Sequence, residues 1–236
     1  NTTTSISLDF LDENLTVVAP STVANDPPPS DAIYAVVHKD RMFVVTPTTL
    51  YYSQPGKPEA FNLTTNFERI DADSNQKLIA AVSLNGMLAI LKQESLYVLV
   101  GDTPSTWAVQ LVDASAGTLA MRSVVSLGGY VYWWSHLHGP MRWNGQGAPD
   151  PIGKKYIDTT INDENVNTDQ CEAICAAVDT TAQRIVFAVA GVGKTRNTVM
   201  LPFSVKLDRW ESSKWDPMDV AAMCCAADDA MLPKLH

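Results

Sequence analysis

Residues 78–101 read LIAAVSLNGMLAILKQESLYVLVG, and this stretch decides the fold. It contains three apolar runs, 78–84, 87–92 and 96–100, with Asn85-Gly86 between the first two and a short polar turn before the third. An Asn-Gly pair between apolar runs predicts a two-residue hairpin, because both residues tolerate the positive φ of a type I′ turn. The alternative is one amphipathic helix, but an interior glycine would cost it about 1 kcal/mol and the apolar residues form no single stripe. We therefore expect three strands.

The same unit recurs along the chain. The three runs are almost continuously apolar, which indicates strands covered by protein on both faces. Aligning the chain on the apolar residue that ends each first strand gives five copies, spaced 45, 43, 53 and 45 residues apart. The aligned residues are Val37, Val82, Val125, Val178 and Met223. This period is typical of the blades of a β-propeller, so the sequence predicts an all-β fold, a β-propeller-like array of antiparallel blades with about five repeats.

Two regions are predicted. Residues 1–30 contain N-terminal strands and a Pro-rich linker, and residues 31–236 form the β-propeller domain. Within the first region, residues 6–10 alternate between apolar and polar side chains, which indicates a half-buried strand, and residues 15–19 are a second strand candidate. Residues 27–30 read Pro-Pro-Pro-Ser, which is typical of a stiff linker.

The strand pattern assigns residues to individual blades. The first four blades are expected at 32–61, 67–112, 121–145 and 175–210. The spacing of Ile157, Ile161 and Val166 favours a short helix before the fourth blade. A fifth blade begins at Val220 and reaches His236 with only one or two strands. Either the N-terminal strands complete it and close the ring, or the chain is a piece of a longer protein.

Composition excludes some classes of function. Of the 236 residues, 46% are hydrophobic and 18% are charged, which is typical of a folded protein. The net charge of −9 argues against nonspecific nucleic-acid binding, because phosphate contacts need clustered Lys and Arg. DNA that only passes through an acidic channel is still compatible with this charge. No signal peptide is evident, and no apolar stretch approaches the roughly 18 residues of a membrane span.

The four cysteines do not form a metal-binding pattern. Cys171 and Cys175 have three residues between them, while Cys224 and Cys225 are adjacent in a predicted strand and would point to opposite faces. A zinc site needs four converging ligands. We expect reduced, partly buried thiols.

Two stretches resemble ligand-binding loops. Residues 191–195 read GVGKT, but a phosphate-binding loop needs a glycine at the position of Ala188 and a helix afterwards, so a hairpin turn is expected. Residues 71–75 read DADSN, like the start of a calcium loop. Gln76 stands in place of the required glycine and Val82 in place of the bidentate glutamate, which favours an ordinary turn.

Aromatic and titratable side chains allow further hypotheses. His136 and His138 could share a metal, but they fall in a predicted turn, where loop histidines are the expected outcome. Trp133, Trp134 and Trp143 could stack sugars or pack between blades, and packing is favoured. A glycosidase needs two facing carboxylates. The scattered acids that could supply them are Asp113, Asp163, Glu164, Asp228 and Asp229.

Five stretches together resemble the β-propeller portion of the tail nozzle, or tail tubular protein B, of short-tailed bacteriophages. They are DRMFVVTPTTLYYSQPGKPEAFN at 40–62, LIAAVSLNGMLAILKQESLYVLVGD at 78–102, GGYVYWWSHLHGPMRWNGQGAPDPIGKKY at 128–156, and AVDTTAQRIVFAV at 177–189 with VKLDRWESSKW at 205–215. The similarity extends over about residues 32–215.

The resemblance implies a structural virion protein and not an enzyme. Subunits of that family form a sixfold ring below the head-tail adaptor, surround the genome channel and carry fibres or spikes. The implied partners are other tail proteins and further copies of the chain in a cyclic homo-oligomer, a hexamer, with DNA only in passage and no membrane span. The implied location is the phage tail, after synthesis in the host cytoplasm. The resemblance assigns no catalytic, cofactor-binding or metal-binding residue. The alternative is a carbohydrate-binding or glycan-cleaving β-propeller.

Overall fold

The computed structural model describes residues 26–153, 166–211, 219–227 and 233–235. Within these residues, four antiparallel sheets of four or five strands follow one another along the chain, and a two-stranded sheet comes last. The strands of each sheet are consecutive in sequence, which is the connectivity of propeller blades. The predicted all-β array of antiparallel blades is confirmed.

Blade 1 contains one strand that the sequence assigned elsewhere. Its strands are β1 (Tyr34–His38), β2 (Arg41–Val45), β3 (Leu50–Gln54), β4 (Lys57–Phe61) and β5 (Phe67–Glu68). Strand β5 pairs with β3, so the prediction that blade 2 starts at residue 67 was wrong for Phe67 and Glu68. A two-residue strand has no periodicity to detect, and it is placed by the contact of the Phe67 ring with Tyr51, 6.1 Å between centroids.

Blade 2 follows the sequence prediction closely. Its strands are β6 (Leu78–Leu84), β7 (Met87–Lys92), β8 (Leu96–Val100) and β9 (Ala108–Asp113). Asn85 and Gly86 have φ values of 48° and 78°, which confirms the predicted turn. Two positive φ values also occur in the first hairpin of blade 1, at Lys39 and Asp40.

Blade 3 begins later than predicted. Its strands are β10 (Val125–Leu127), β11 (Tyr130–Ser135), β12 (Gly139–Trp143) and β13 (Asp150–Pro151). Residues 121–127 were expected as one strand, but Met121–Ser123 forms a 3-10 turn. The Ser123 hydroxyl donates to the Ala120 carbonyl and accepts from the Trp134 N–H, and such local bonds compete with strand pairing. The short outer strand β13 was not predicted.

Blade 4 and the final sheet complete the described array. Their strands are β14 (Cys175–Asp179), β15 (Arg184–Ala190), β16 (Asn197–Ser204), β17 (Arg209–Trp210), β18 (Cys225–Ala227) and β19 (Pro233–Leu235). The predicted start of the fifth blade at Val220 was wrong, because Val220 bridges to Asn197 instead. Of the predicted short helix, Ile157 and Ile161 lie outside the described residues. Val166 is not helical and forms a bridge with Gly191.

The blades stack face to face, with the first strands side by side. Strand β1 lies beside β6, β6 beside β10, and β10 beside β14. One apolar cluster fills each of the three spaces between consecutive blades. The spaces between sheets, and not a single central core, therefore hold the buried side chains, as expected for strands that are apolar on both faces.

The structure shifts part of the repeat alignment. Counted back from the first hairpin of each blade, the residues equivalent to Val82 are Val36, Val125 and Ala177. The aligned residues Val37 and Val178 are therefore one position too late, and such a shift moves a side chain to the opposite face of the sheet. The two strands predicted at residues 6–10 and 15–19 lie outside the described residues.

Candidate functional site

The three tryptophans of the possible sugar platform are buried between blades. Trp133, Trp134 and Trp143 are 0%, 3% and 4% exposed. Trp133 and Trp143 pack between blades 2 and 3, and Trp134 packs against Phe187 of blade 4 with 5.8 Å between ring centroids. The expectation of inter-blade packing is confirmed, and none of these rings presents a face for a sugar to stack on.

The two histidines lie in the turn between β11 and β12, as predicted. The Nε2 atom of His138 lies 3.3 Å from the Ser115 hydroxyl, and His136 has a buried Nδ1 without a hydrogen-bond partner. His136 borders an open cleft of about 980 Å³ between blades 3 and 4, together with Arg122 and Glu172. The described residues contain no cluster of three or more histidines, cysteines or carboxylates that could hold a metal ion.

Of the five candidate carboxylates, Asp113 lies within the described residues. The Asp113 carboxylate accepts hydrogen bonds from the backbone N–H and the hydroxyl of Ser115, and so closes a turn. The other four acids named above, Asp163, Glu164, Asp228 and Asp229, lie outside the described residues.

The GVGKT stretch is a hairpin turn. The Lys194 N–H donates to the Gly191 carbonyl at 2.9 Å, and Gly193 has a φ of 71°. Strand β16 follows instead of a helix, so no helix N-terminus faces the loop. The expected turn is confirmed.

The DADSN stretch binds the buried side chain of Lys92, a contact that the sequence did not predict. The ammonium of Lys92, in β7, is 1% exposed. It donates to the carbonyls of Ile70 and Asp71 at 3.0 and 3.1 Å and to the Ser74 hydroxyl at 2.5 Å. Its three donors therefore have three acceptors, the condition under which a buried charge is tolerated.

A carboxylate and an aromatic ring complete the Lys92 site. The Asp71 carboxylate lies 3.8 Å from the Lys92 ammonium, which lies 5.8 Å from the centre of the Tyr97 ring. The Tyr97 hydroxyl donates to Asp71 at 2.8 Å, and this bond holds the pKa of Asp71 below its usual value, with Ser74 and Lys92 acting in the same direction. Burial raises the pKa of Tyr97, and the neighbouring Asp71 carboxylate raises it further. Oxygen atoms of the loop therefore bind the buried lysine of blade 2.

Two of the described cysteines are buried thiols. Cys171 and Cys175 are free and buried, as predicted, and Cys224 is free and exposed. Burial raises the pKa of Cys171 to about 12 and also raises that of Cys175. A thiol with a raised pKa is a poor nucleophile at neutral pH.

Polar contacts join consecutive blades near their hairpin turns. Between blades 1 and 2, the Lys39 ammonium lies 2.7 Å from the Asp102 carboxylate. Between blades 2 and 3, the Asn85 side chain donates to the Asn144 carbonyl at 3.1 Å. Between blades 3 and 4, the Arg142 guanidinium pairs with Asp208. Each pair of consecutive blades from 1 to 4 is thus joined by at least one polar contact.

One sheet face lacks a neighbouring blade in the described array. The open face of blade 1 lies opposite the face that packs on blade 2 and includes Ala35, Val37, Met42, Val44 and Tyr51, of which Val44 is buried. Val37 is 63% exposed. An exposed apolar sheet face is a candidate interaction surface.

Searches against protein-family models and curated proteins find no match. Solved structures share the fold. The Hsv2 structure from Kluyveromyces lactis has 8% identity over 83% of this chain and 55% of its own length, with a TM-score of 0.51. The WD40 domain of SCAP from fission yeast is 10% identical; the match covers 85% of this chain and 46% of the SCAP chain, with a TM-score of 0.51. A chain in a crystal structure of the mitotic checkpoint complex is 8% identical; the match covers 98% of this chain and 68% of that one, with a TM-score of 0.53.

These likenesses establish the class of the fold, a β-propeller, and nothing finer. The chain spans about half the length of the Hsv2 and SCAP structures. The described residues also contain no helix with the length and hydrophobicity that a bilayer crossing requires.

Proposed function

We propose that the chain is a structural virion protein of a tailed bacteriophage, a component of the tail nozzle or of the head-to-tail machinery. In this role it binds other tail proteins, such as the adaptor and a fibre or spike, and forms a cyclic homo-oligomer, a hexamer. DNA passes through the channel without sequence-specific contacts. The protein is synthesised in the host cytoplasm and resides in the phage tail.

The observation that carries this proposal is the set of five stretches that resemble the nozzle propeller. In the structure, their described residues occupy hairpins of all four blades: β2 to β4, β6 to β8, β11 to β13, and β14 to β15 with β17. A resemblance distributed over every blade concerns the whole array and not one local turn. It supports common descent of the array from such a propeller.

The burial of the tryptophans supports the structural role over the carbohydrate-binding alternative. A sugar platform needs an exposed aromatic face, and the three candidate rings have at most 4% of their surface exposed. They contribute instead to the contact between blades. Function is then expected at outer surfaces, where protein partners bind.

The test is to locate the protein in phage particles. Tailed phages that encode this chain are purified, and the protein is quantified by mass spectrometry and located by gold-labelled antibodies in electron micrographs. We expect labelling at the tail with about six copies per particle, as a closed head-to-tail ring requires. Absence of the protein from intact particles would contradict the proposal, and specific binding on a glycan array would then favour the alternative.

A further inference from the structure

The outer strand of blade 2 differs from the outer strands of blades 1, 3 and 4. Strand β9 has six residues, and residues 108–111 are all exposed and uncharged. In the other three blades, the outer strands β5, β13 and β17 are two residues long, and β4 begins with Lys-Pro-Glu at 57–59. Short length, charged residues and proline each hinder the pairing of an edge strand with another chain. Among these described outer strands, β9 is the one whose exposed part has none of these features.

The backbone of β9 forms a regular edge over residues 108–111. Strand β9 is the last strand of its sheet in the described structure. It pairs with β8 without interruption from Ala108 to Leu111, after which the register shifts and Val112 is skipped. In an antiparallel pair, alternate residues direct their N–H and C=O groups away from the partner strand. A further strand can therefore add to this edge through backbone hydrogen bonds.

Two apolar side chains of the edge lie on the same face of the sheet. Val109 and Leu111 are 37% and 54% exposed. They lie opposite Leu99 and Tyr97 of β8, while Gln110 points to the other face. A strand that adds to this edge buries the most apolar surface if it also has two apolar residues at alternate positions on that face.

The β9 strand of a second copy meets this requirement. In an antiparallel pair of identical strands, opposite residues must lie on the same face of the joined sheet, so the twofold axis passes through a residue and not between two. With the axis at Gln110, Val109 of each copy lies opposite Leu111 of the other. An axis at Leu111 would place Val109 against Asp113, and an axis at Val109 would pair only residues 108–110 of the strand. The sequence pattern therefore favours the register centred on Gln110.

We propose that β9 pairs with β9 of a second copy of the chain, antiparallel and with the two Gln110 residues opposite each other. The four-stranded sheet of blade 2 then continues across the contact into the sheet of the other copy. This pairing goes beyond the proposed function. It is a twofold contact, whereas the proposed ring closes through head-to-tail contacts, so either can fail without the other.

Disulfide crosslinking of the full chain tests the pairing. Gln110→Cys places a thiol opposite its own copy, where the Cα atoms of an antiparallel pair lie about 4.5–5.5 Å apart, a distance that a disulfide bridges. The matched control is Ala108→Cys on the same exposed edge. Its two copies would lie about 13 Å apart, because four residues at about 3.3 Å each separate them along the strand.

Both proteins are oxidised with copper phenanthroline, and the bond is identified by mass spectrometry of tryptic peptides. The peptide of residues 93–122 contains no native cysteine, so a linked pair of this peptide reports the introduced thiol alone. We expect more than tenfold more linked dimer from Gln110→Cys than from Ala108→Cys. Equal yields would indicate random collision and overturn the proposal. Absence of dimer from Gln110→Cys would overturn it as well, including the case in which another protein occupies the edge.

A second substitution tests the apolar pairs. In the Gln110→Cys protein, Leu111→Lys should reduce the yield of dimer at least fivefold, because it places a charge between the paired strands. The control is Leu207→Lys, at a leucine that is 57% exposed in the turn before β17, and it should leave the yield unchanged. Circular dichroism checks that all variants fold. An unchanged yield with Leu111→Lys, or an equal loss with Leu207→Lys, would contradict the proposed contact.

Discussion

The space between blades 2 and 3 and the open face of blade 1 are built from the same kind of strand. In the first, Trp133 and Val131 lie between two sheets and are almost fully buried. In the second, Met42 and Ala35 retain exposed surface, although the residues at the same positions of blades 2 to 4 are buried. The repeat thus makes each face apolar, and a neighbouring sheet determines whether that face contributes to stability. An array of this kind is stabilised by its blade-to-blade contacts.

The largest expected effect comes from removing a side chain from the covered space. Trp133→Ala should lower the free energy of unfolding by about 3–5 kcal/mol, because it leaves a cavity between two sheets. The substitution Tyr51→Ala, of another large aromatic residue but on the open face, should cost less than half as much. Urea unfolding followed by circular dichroism measures both values. Equal losses would contradict the distinction between covered and open faces.

The next effect concerns the buried lysine. Lys92→Met should cost about 1–3 kcal/mol, because the acceptors of Ile70, Asp71 and Ser74 lose their donor inside the protein. Lys77→Met, at an exposed position of the same loop, serves as the control and should be nearly neutral. If both variants unfold at the same urea concentration, the Lys92 site does not hold the loop in place.

A smaller difference in stability is expected between variants of two inter-blade ion pairs. Arg142 is 21% exposed and bonds to both Asp150 and Asp208, whereas Lys39 pairs with Asp102, whose side chain is 89% exposed. Arg142→Ala should therefore cost about 1 kcal/mol, and Lys39→Ala less than about 0.5 kcal/mol. The comparison is repeated at 1 M NaCl, which should reduce the effect of Arg142→Ala. A larger loss for Lys39→Ala would contradict this order.

The last prediction uses pH. Because the pKa of Asp71 is lowered in the folded protein, its ionised form stabilises the fold above the unfolded value of 3.8, and this contribution is lost as the pH falls through the folded value. Between pH 6 and pH 3, the wild type should therefore lose more stability than Asp71→Asn does. Thermal unfolding across this range provides the measurement, and parallel curves would argue against the Tyr97–Asp71 bond.

Local sequence signals predicted blade 2 almost completely. Asn85-Gly86 fixes a hairpin by its own backbone preferences, so the bounds of β6 and β7 follow from the neighbouring residues alone. Strands of two residues, such as β5 and β13, have no pattern of their own and depend on the sheet that receives them. The repeat alignment was one residue off at Val37 and Val178 because it compared apolar residues and not the hairpin turns.

The Lys92 site depends on contacts between residues about 20 positions apart, which the motif alone could not show. A usable signal was present, because Lys92 is a charged residue at the end of an otherwise apolar strand predicted to be covered on both faces. Such a lysine needs acceptors nearby, and the oxygen-rich loop DADSN was the nearest candidate. The burial of the tryptophans, in contrast, followed directly from the blade hypothesis.

The most direct test of the proposed structural role is the native mass of the full chain, measured by light scattering and supported by negative-stain electron microscopy. A nozzle component is predicted to form rings of about six copies, because a head-to-tail interface closes on itself. A stable monomer at every concentration, absent from phage particles, would contradict the account.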